Sequence, residues 1–168
     1  QVGEGSTFWF TALFGKCTDE ESTETDQKVR DTVAKKEMLS AAETQILLVE
    51  DNRVNQKVAK AILRKLGFKA DIAENGLKAL KALAEKDYHI VLMDVQMPEM
   101  DGLEATQRIR AGQDNVRNAD IPIIAMTAHA FREDRDRCLK AGMQDYVTKP
   151  IRPEQLSKAI HNLLDIAE

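Results

Sequence analysis

Residues 90–94 read Ile-Val-Leu-Met-Asp, four apolar residues in succession closed by a carboxylate. Two other stretches repeat the pattern: Ile46-Leu47-Leu48-Val49 runs into Glu50-Asp51, and Ile123-Ile124-Ala125-Met126 runs into Thr127. A strand with one wet face alternates apolar and polar residues, whereas a strand covered on both faces reads as a continuous apolar run. These three are therefore expected as central strands of a parallel sheet with helices on each side. Helical spacing appears between and after them. Val54, Val58, Ala61, Ile62 and Leu66 lead to Gly67; Leu77, Leu80 and Leu83 form a second set; Leu103 and Ile109 lead to Gly112. A charged segment, 132–142, ends at Gly142, and Leu156, Ile160, Leu163 and Leu164 follow Pro153. Glycine just past a helix and proline in its first turn are the expected punctuation. Ala70, Ile72 and Ala73, and then Tyr146-Val147, supply two shorter strands, and Ile121 joins the run at 123–126. Five strand–helix units between residues 44 and 168 define the class as α/β, an open, doubly wound parallel sheet.

The remainder of the chain is of another kind. Lys and Arg number 24 against 28 Asp and Glu among 168 residues, a net charge of −4 with a pI near 5.5. General binding to nucleic acid or to an anionic membrane surface draws on a basic surface, so neither is an expected partner. No apolar run approaches the ~20 residues of a membrane helix. No membrane contact is expected of this segment, and a cytoplasmic location is, whether or not a longer parent is anchored in an inner membrane. The two cysteines, Cys17 and Cys138, are too few for a disulfide framework or a tetrahedral zinc site and point to a reducing compartment. Half of the eight aromatic residues (Phe8, Trp9, Phe10 and Phe14) fall within residues 1–15, where the β-branched and aromatic run Thr7–Thr11 suits a strand. An isolated strand has nothing to pair with. With Gln1 in place of a Met, this reads as one piece of a longer chain. Residues 16–43 carry eight acidic side chains against five basic ones and no aromatics, too polar to offset the entropy of ordering. They read as a linker, with a short weak helix around Val29, Val33 and Met38-Leu39.

The informative polar residues are those that end the strands. In an open parallel sheet the carboxyl ends of the strands share one rim, where ligands bind. Glu50, Asp51, Asp94, Thr127 and Lys149 all fall there. Taken singly, an acid or a threonine after a strand is an ordinary helix cap, and a lone lysine is solvated. Taken together, three carboxylates repel one another unless they are protonated or share a cation. Mg²⁺ fits, because it takes one or two carboxylates, a carbonyl and several waters. An Asp beside a divalent cation, a hydroxyl and an ammonium is also what phosphoryl transfer to a carboxylate requires.

Both the chemistry and the order of these residues resemble the receiver domain of two-component signalling proteins. The matching segments are ILLVEDN at 46–52, IVLMDVQMPEMDG at 90–102, IIAMTAHA at 123–130 and DYVTKPI at 145–151. The resemblance implies a flavodoxin-like sheet of order 2-1-3-4-5 with five helices. It implies that Asp94 accepts a phosphoryl group from phosphohistidine, and that Glu50, Asp51, Asp94 and the backbone carbonyl of Gln96 hold Mg²⁺. Thr127 would hydrogen-bond one phosphoryl oxygen and Lys149 pair with another, with a cis bond between Lys149 and Pro150. Thr127 and Tyr146 would form the switch, the aromatic turning inward as the hydroxyl moves toward the phosphate. Ala128 leaves access to the site, and Gln96 and His129 stand where family side chains tune the lifetime of the aspartyl phosphate. Residues 2–14 resemble the closing strand of a histidine kinase ATP-binding domain, and the Asp51–Gln56 stretch resembles receivers of hybrid kinases. The organisation implied is a kinase remnant at 1–15, an acidic linker at 16–43 and a receiver at 44–168. The partners implied are the histidine kinase core of the same parent chain and a downstream histidine phosphotransfer domain.

None of His89, His129 and His161 has the Glu and Pro that follow a phosphoacceptor histidine, and the Asn and paired-glycine motifs of an ATP site are missing, so no ATP-dependent kinase activity is expected of these residues. Two other functions compete. A phosphohydrolase working through an aspartyl phosphate, of the haloacid dehalogenase type, needs an Asp two residues after the nucleophile as general acid, and Gln96 cannot donate a proton that way. A receiver-like binding module without phosphoryl chemistry would not need the full set of charged residues. A DNA-binding regulator is disfavoured because the chain stops with the fifth helix.

Overall fold

The computed structural model describes residues 40–128 and 131–164. The strand expected at 1–15 and the linker at 16–43, up to residue 39, lie outside the described residues. The elements run β1 (Gln45–Val49), α1 (Arg53–Lys65), β2 (Lys69–Ala73), α2 (Gly76–Glu85), β3 (Ile90–Asp94) and α3 (Gly102–Arg110). A short 3₁₀ turn (Gln113–Asn115) leads to β4 (Ile123–Thr127), α4 (Arg132–Ala141), β5 (Asp145–Thr148) and α5 (Pro153–Leu163). All strand pairs are parallel and the order is β2-β1-β3-β4-β5.

The continuous apolar runs do what their pattern requires. Successive side chains of a strand point to opposite faces. Leu47, Val49, Val91, Met93, Ile123 and Ala125 pack with Leu80, Leu83, Ala105 and Ile109 of α2 and α3 on one side. Ile46, Leu48, Ile90, Leu92, Ile124 and Met126 pack with Leu63 of α1 and with Leu156 and Ile160 of α5 on the other. Each run needs to be apolar at every position because each residue belongs to one of these two cores. Side-chain caps hold the helix starts: Asn52 accepts from the Val54 and Asn55 amides, Asn75 from Lys78 and Asp101 from Glu104. Gly142 ends α4 at φ 102°, a left-handed conformation for which glycine is suited.

Two expectations shift. The apolar stripe Val54-Val58-Ala61 of α1 faces solvent, with Val54 68% and Val58 48% exposed, while Gln56, Ala59 and Leu63 face the sheet. The core uses the small Ala59 and the amide of Gln56 where periodicity alone selects the larger valines. β4 starts at Ile123 rather than at Ile121, because Pro122 has no amide to donate. Its carbonyl still accepts the Val91 amide at 2.9 Å.

Candidate functional site

Each polar residue singled out in the sequence lies at the carboxyl rim of the sheet because its strand ends there. Asp94 and Thr127 are the last residues of β3 and β4, while Glu50 directly follows β1 and Lys149 directly follows β5. The rim is held in register past the strand ends: the Glu50 amide donates to Ala73 O at 3.0 Å, Val95 N to Met126 O at 3.1 Å and Lys149 N to Thr127 O at 2.8 Å. The Lys149–Pro150 bond is cis.

Glu50 is 1% exposed and Asp94 4% exposed. Lys149 Nζ stands 2.6 Å from Asp94 Oδ2 and 2.6 Å from Glu50 Oε2. Asp94 Oδ1 accepts the Gln96 amide at 3.2 Å. Glu50 Oε1 accepts from Asn55 Nδ2 at 2.9 Å and from the Asn52 amide at 3.3 Å. Glu50 Oε2 touches the Lys149 ammonium as an ion pair but receives no well-directed hydrogen bond. Burial pushes the Asp94 carboxyl above its ordinary pKa and Glu50 adds to the rise, with Lys149 and the Gln96 amide only partly offsetting them. Burial works against the Lys149 charge, but Asp94 and Glu50 together outweigh it and hold the ammonium above its usual range. A buried carboxylate that resists ionisation beside an ammonium that keeps its proton is a site short of positive charge.

Asp51 joins from the exposed side of the rim, and Glu50, Asp51 and Asp94 each offer an oxygen within 4.8 Å of the others. An all-oxygen, anionic donor set with one buried oxygen lacking a hydrogen bond suits a hard divalent cation such as Mg²⁺. The cavity beside these groups has a volume of about 220 Å³, and Gln96, Thr127 and Ala128 also line it. Tyr146, on β5, is half-buried with the Arg135 guanidinium 5.6 Å from its ring centre. His129 lies outside the described residues. His89 sits just before β3 and is tied up structurally, its Nδ1 accepting the Gln45 amide at 2.9 Å. His161 is exposed on α5, with the Phe68 ring 6.2 Å away.

Three residues that the sequence reading gave no role support this rim. Asn55 and Gln56 lie on the first turn of α1, and Gln56 Nε2 donates to the Glu50 carbonyl at 2.7 Å. Both the side chain and the backbone of Glu50 are thus fixed from one helical turn. Gly102 opens α3 directly over the end of β3, where a Cβ would overlap the Asp94 backbone carbonyl. The sequence signal for the first two was only their place just after Glu50-Asp51 at the start of α1; the glycine gave no signal beyond its place after the Met-Pro-Glu-Met-Asp loop.

The fold and rim define a doubly wound α/β domain with an acidic, lysine-bridged pocket at the carboxyl ends of its strands. A family model described as the response regulator receiver domain matches residues 46–161, and the chain belongs to that family. It is a receiver domain of the two-component phosphorelay type. Hybrid signal transduction histidine kinase K of Dictyostelium discoideum is 34% identical over 96% of this chain and 13% of its own length. The crystal structure of a sensor histidine kinase receiver domain from Pseudomonas aeruginosa, with a magnesium ion coordinated in its active-site cleft, is 42% identical. It superposes with a TM-score of 0.63 over 71% of this chain and 96% of that one. The receiver domain of the Saccharomyces cerevisiae response regulator Ssk1, solved with the histidine phosphotransfer protein Ypd1, is 33% identical, with a TM-score of 0.65 over 71% and 88% of the two chains. This chain spans between 6% and 17% of the length of eight curated histidine kinase relatives. Among the described residues no helix is long and apolar enough to cross a membrane.

Proposed function

We propose that Asp94 is the phosphoacceptor of this receiver domain and that residues 44–168 form the unit that carries it. The observation that supports this most is the meeting of Glu50, Asp51 and Asp94 within 4.8 Å, with Lys149 2.6 Å from Asp94. Glu50, Asp51, Asp94 and the Gln96 carbonyl are the residues that would hold Mg²⁺. Bound there, the cation supplies positive charge to the phosphoryl oxygens and keeps the Asp94 carboxyl ionised. An Asp94 oxygen attacks phosphorus; the new O–P bond forms as the N–P bond of phosphohistidine breaks and the imidazole leaves with the bonding pair. The Lys149 ammonium, already on Asp94, turns to a phosphoryl oxygen as the carboxylate charge is spent. Thr127 O–H donates to another. Tyr146, half-buried beside Arg135, turns inward to fill the space that Thr127 vacates, which repacks the α4–β5 face.

The phosphohistidine comes from a kinase core of a longer parent chain, of which residues 1–15 are the remnant and 16–43 the acidic linker. A histidine phosphotransfer domain is the downstream acceptor. The likeness to hybrid kinases and to a receiver solved with a phosphotransfer protein supports both partners. Labelling with acetyl phosphate and Mg²⁺ tests the reading: the wild type takes up one phosphoryl group that base or hydroxylamine removes, and Asp94→Asn takes up none. Undiminished label on the variant would end it.

A further inference from the structure

On the outer flank of the domain, α1 and β2 enclose a groove of about 460 Å³. Its floor is apolar: the buried Phe68 ring, with Ala61 of α1 and Ala70 of β2. Its rim carries four exposed cations, Lys57, Lys60 and Arg64 on one stripe of α1 and Lys69 at the start of β2. None of the four has an ion pair or side-chain hydrogen bond among the described residues. The nearby acid Asp71 belongs to the opposite face of β2, where it bonds Lys86 at 2.7 Å and Tyr88 at 3.0 Å, and Lys60 acts on it only as a weaker, through-space charge. Among the described residues β2 is the edge of the sheet and pairs only with β1. Ile72, two residues beyond Ala70 on the same face, is 38% exposed.

We propose that this groove docks an extended acidic segment of a partner protein, which adds a strand to the edge of β2 that the other described strands leave unpaired. Edge strands accept such additions through backbone hydrogen bonds, with alternate side chains supplying specificity. Apolar side chains of the segment lie on Phe68, Ala70 and Ile72. Its carboxylates meet Lys57, Lys60, Arg64 and Lys69. Because β1 lies between β2 and β3, a segment on the outer edge of β2 leaves the phosphoacceptor pocket at Asp94 open.

The test uses the full chain and a short fluorescein-labelled peptide of alternating Glu and Leu, read by fluorescence anisotropy. The wild type binds it and releases it as salt is raised, and the amide signals of Lys69–Ala73 shift or gain exchange protection. The double variant Lys60→Glu/Arg64→Glu, two exposed side chains, weakens binding about tenfold or more. Its Asp94 labelling by acetyl phosphate is unchanged, which shows that it is folded. A control, Lys158→Glu on α5, binds as the wild type does. The proposal is overturned if the peptide does not bind, in which case the cations only guard the edge against aggregation. Equal binding of a peptide of Glu and Ser, or equal binding by the double variant, overturns it too. So does peptide-independent capture of the groove by anionic vesicles, duplex DNA or a second copy of the chain.

Discussion

Lys149→Met removes the ammonium that stands 2.6 Å from both Glu50 and Asp94 and leaves two buried carboxylates without a countercharge. Stripping one partner from a buried pair costs ~3–5 kcal/mol. The Lys149 side chain is 21% exposed, so the lower end applies and the metal-free domain should lose about 3 kcal/mol. With a urea slope of about 2 kcal/mol/M, the unfolding midpoint should fall by about 1.5 M. Saturating Mg²⁺ should restore most of the loss and should bind the variant more tightly than the wild type, because no ammonium competes for the same oxygens. The pH dependence has a definite sign. In the wild type the raised Lys149 pKa means its contribution is complete below its ordinary value of 10.5 and is lost only as pH rises beyond it. In the variant the Asp94 carboxyl, already pushed up by burial, binds a proton more tightly folded than unfolded. The deficit therefore shrinks as pH falls from neutral into the acid range. Urea titrations with and without Mg²⁺, at neutral and mildly acid pH, read all of this. A metal-free midpoint within about 0.3 M of the wild type, or a Mg²⁺ effect no larger than the wild type's, would refute the view that the site is short of positive charge.

Asn55→Ala removes the 2.9 Å bond to Glu50 Oε1 and should cost about 1.5 kcal/mol of stability; calorimetry should show weaker Mg²⁺ binding, and an unchanged affinity would rule out a positioning role. Arg110 ties two loops together, donating to Ala119 O and Ile121 O before β4 and to Gly142 O after α4, at 2.5, 2.8 and 2.9 Å. Arg110→Ala should cost about 3 kcal/mol in thermal melts while Asp94 labelling of the folded protein stays intact. Cys138 is buried, and burial pushes its thiol pKa up. In a Cys17→Ser background it should resist a thiol reagent at about pH 8 until urea unfolds the chain, whereas modification at the rate of a free thiol would contradict its burial.

The sheet was legible because unbroken runs such as Ile46–Val49 and Ile123–Met126 have one physical explanation, two covered faces, and the rim residues follow from where those runs stop. Helix faces were less legible. Val54 and Val58 have helical spacing, yet the face turned inward is the one that carries Ala59 and Leu63, which pack on Ile46, Leu48, Ile90 and Leu92 of the sheet. Periodicity gives the spacing of a stripe, while its direction depends on neighbours distant in the chain. The supports of Glu50 were hidden for a related reason. Asn55 and Gln56 look like ordinary polar residues of an exposed helix start, and only the closeness of that turn to the end of β1 turns their amides onto Glu50. Gly102 looks like loop punctuation until the Asp94 carbonyl is seen to fill the space of its Cβ.

Transfer from a phosphorylated histidine phosphotransfer protein tests the central claim most directly. With Mg²⁺ present, the wild-type chain should take the phosphoryl group and hold it in a peptide containing Asp94, and Asp94→Asn should leave the donor phosphorylated. Equal transfer to both proteins, or a phosphoryl group located on any other residue, would contradict the assignment of Asp94.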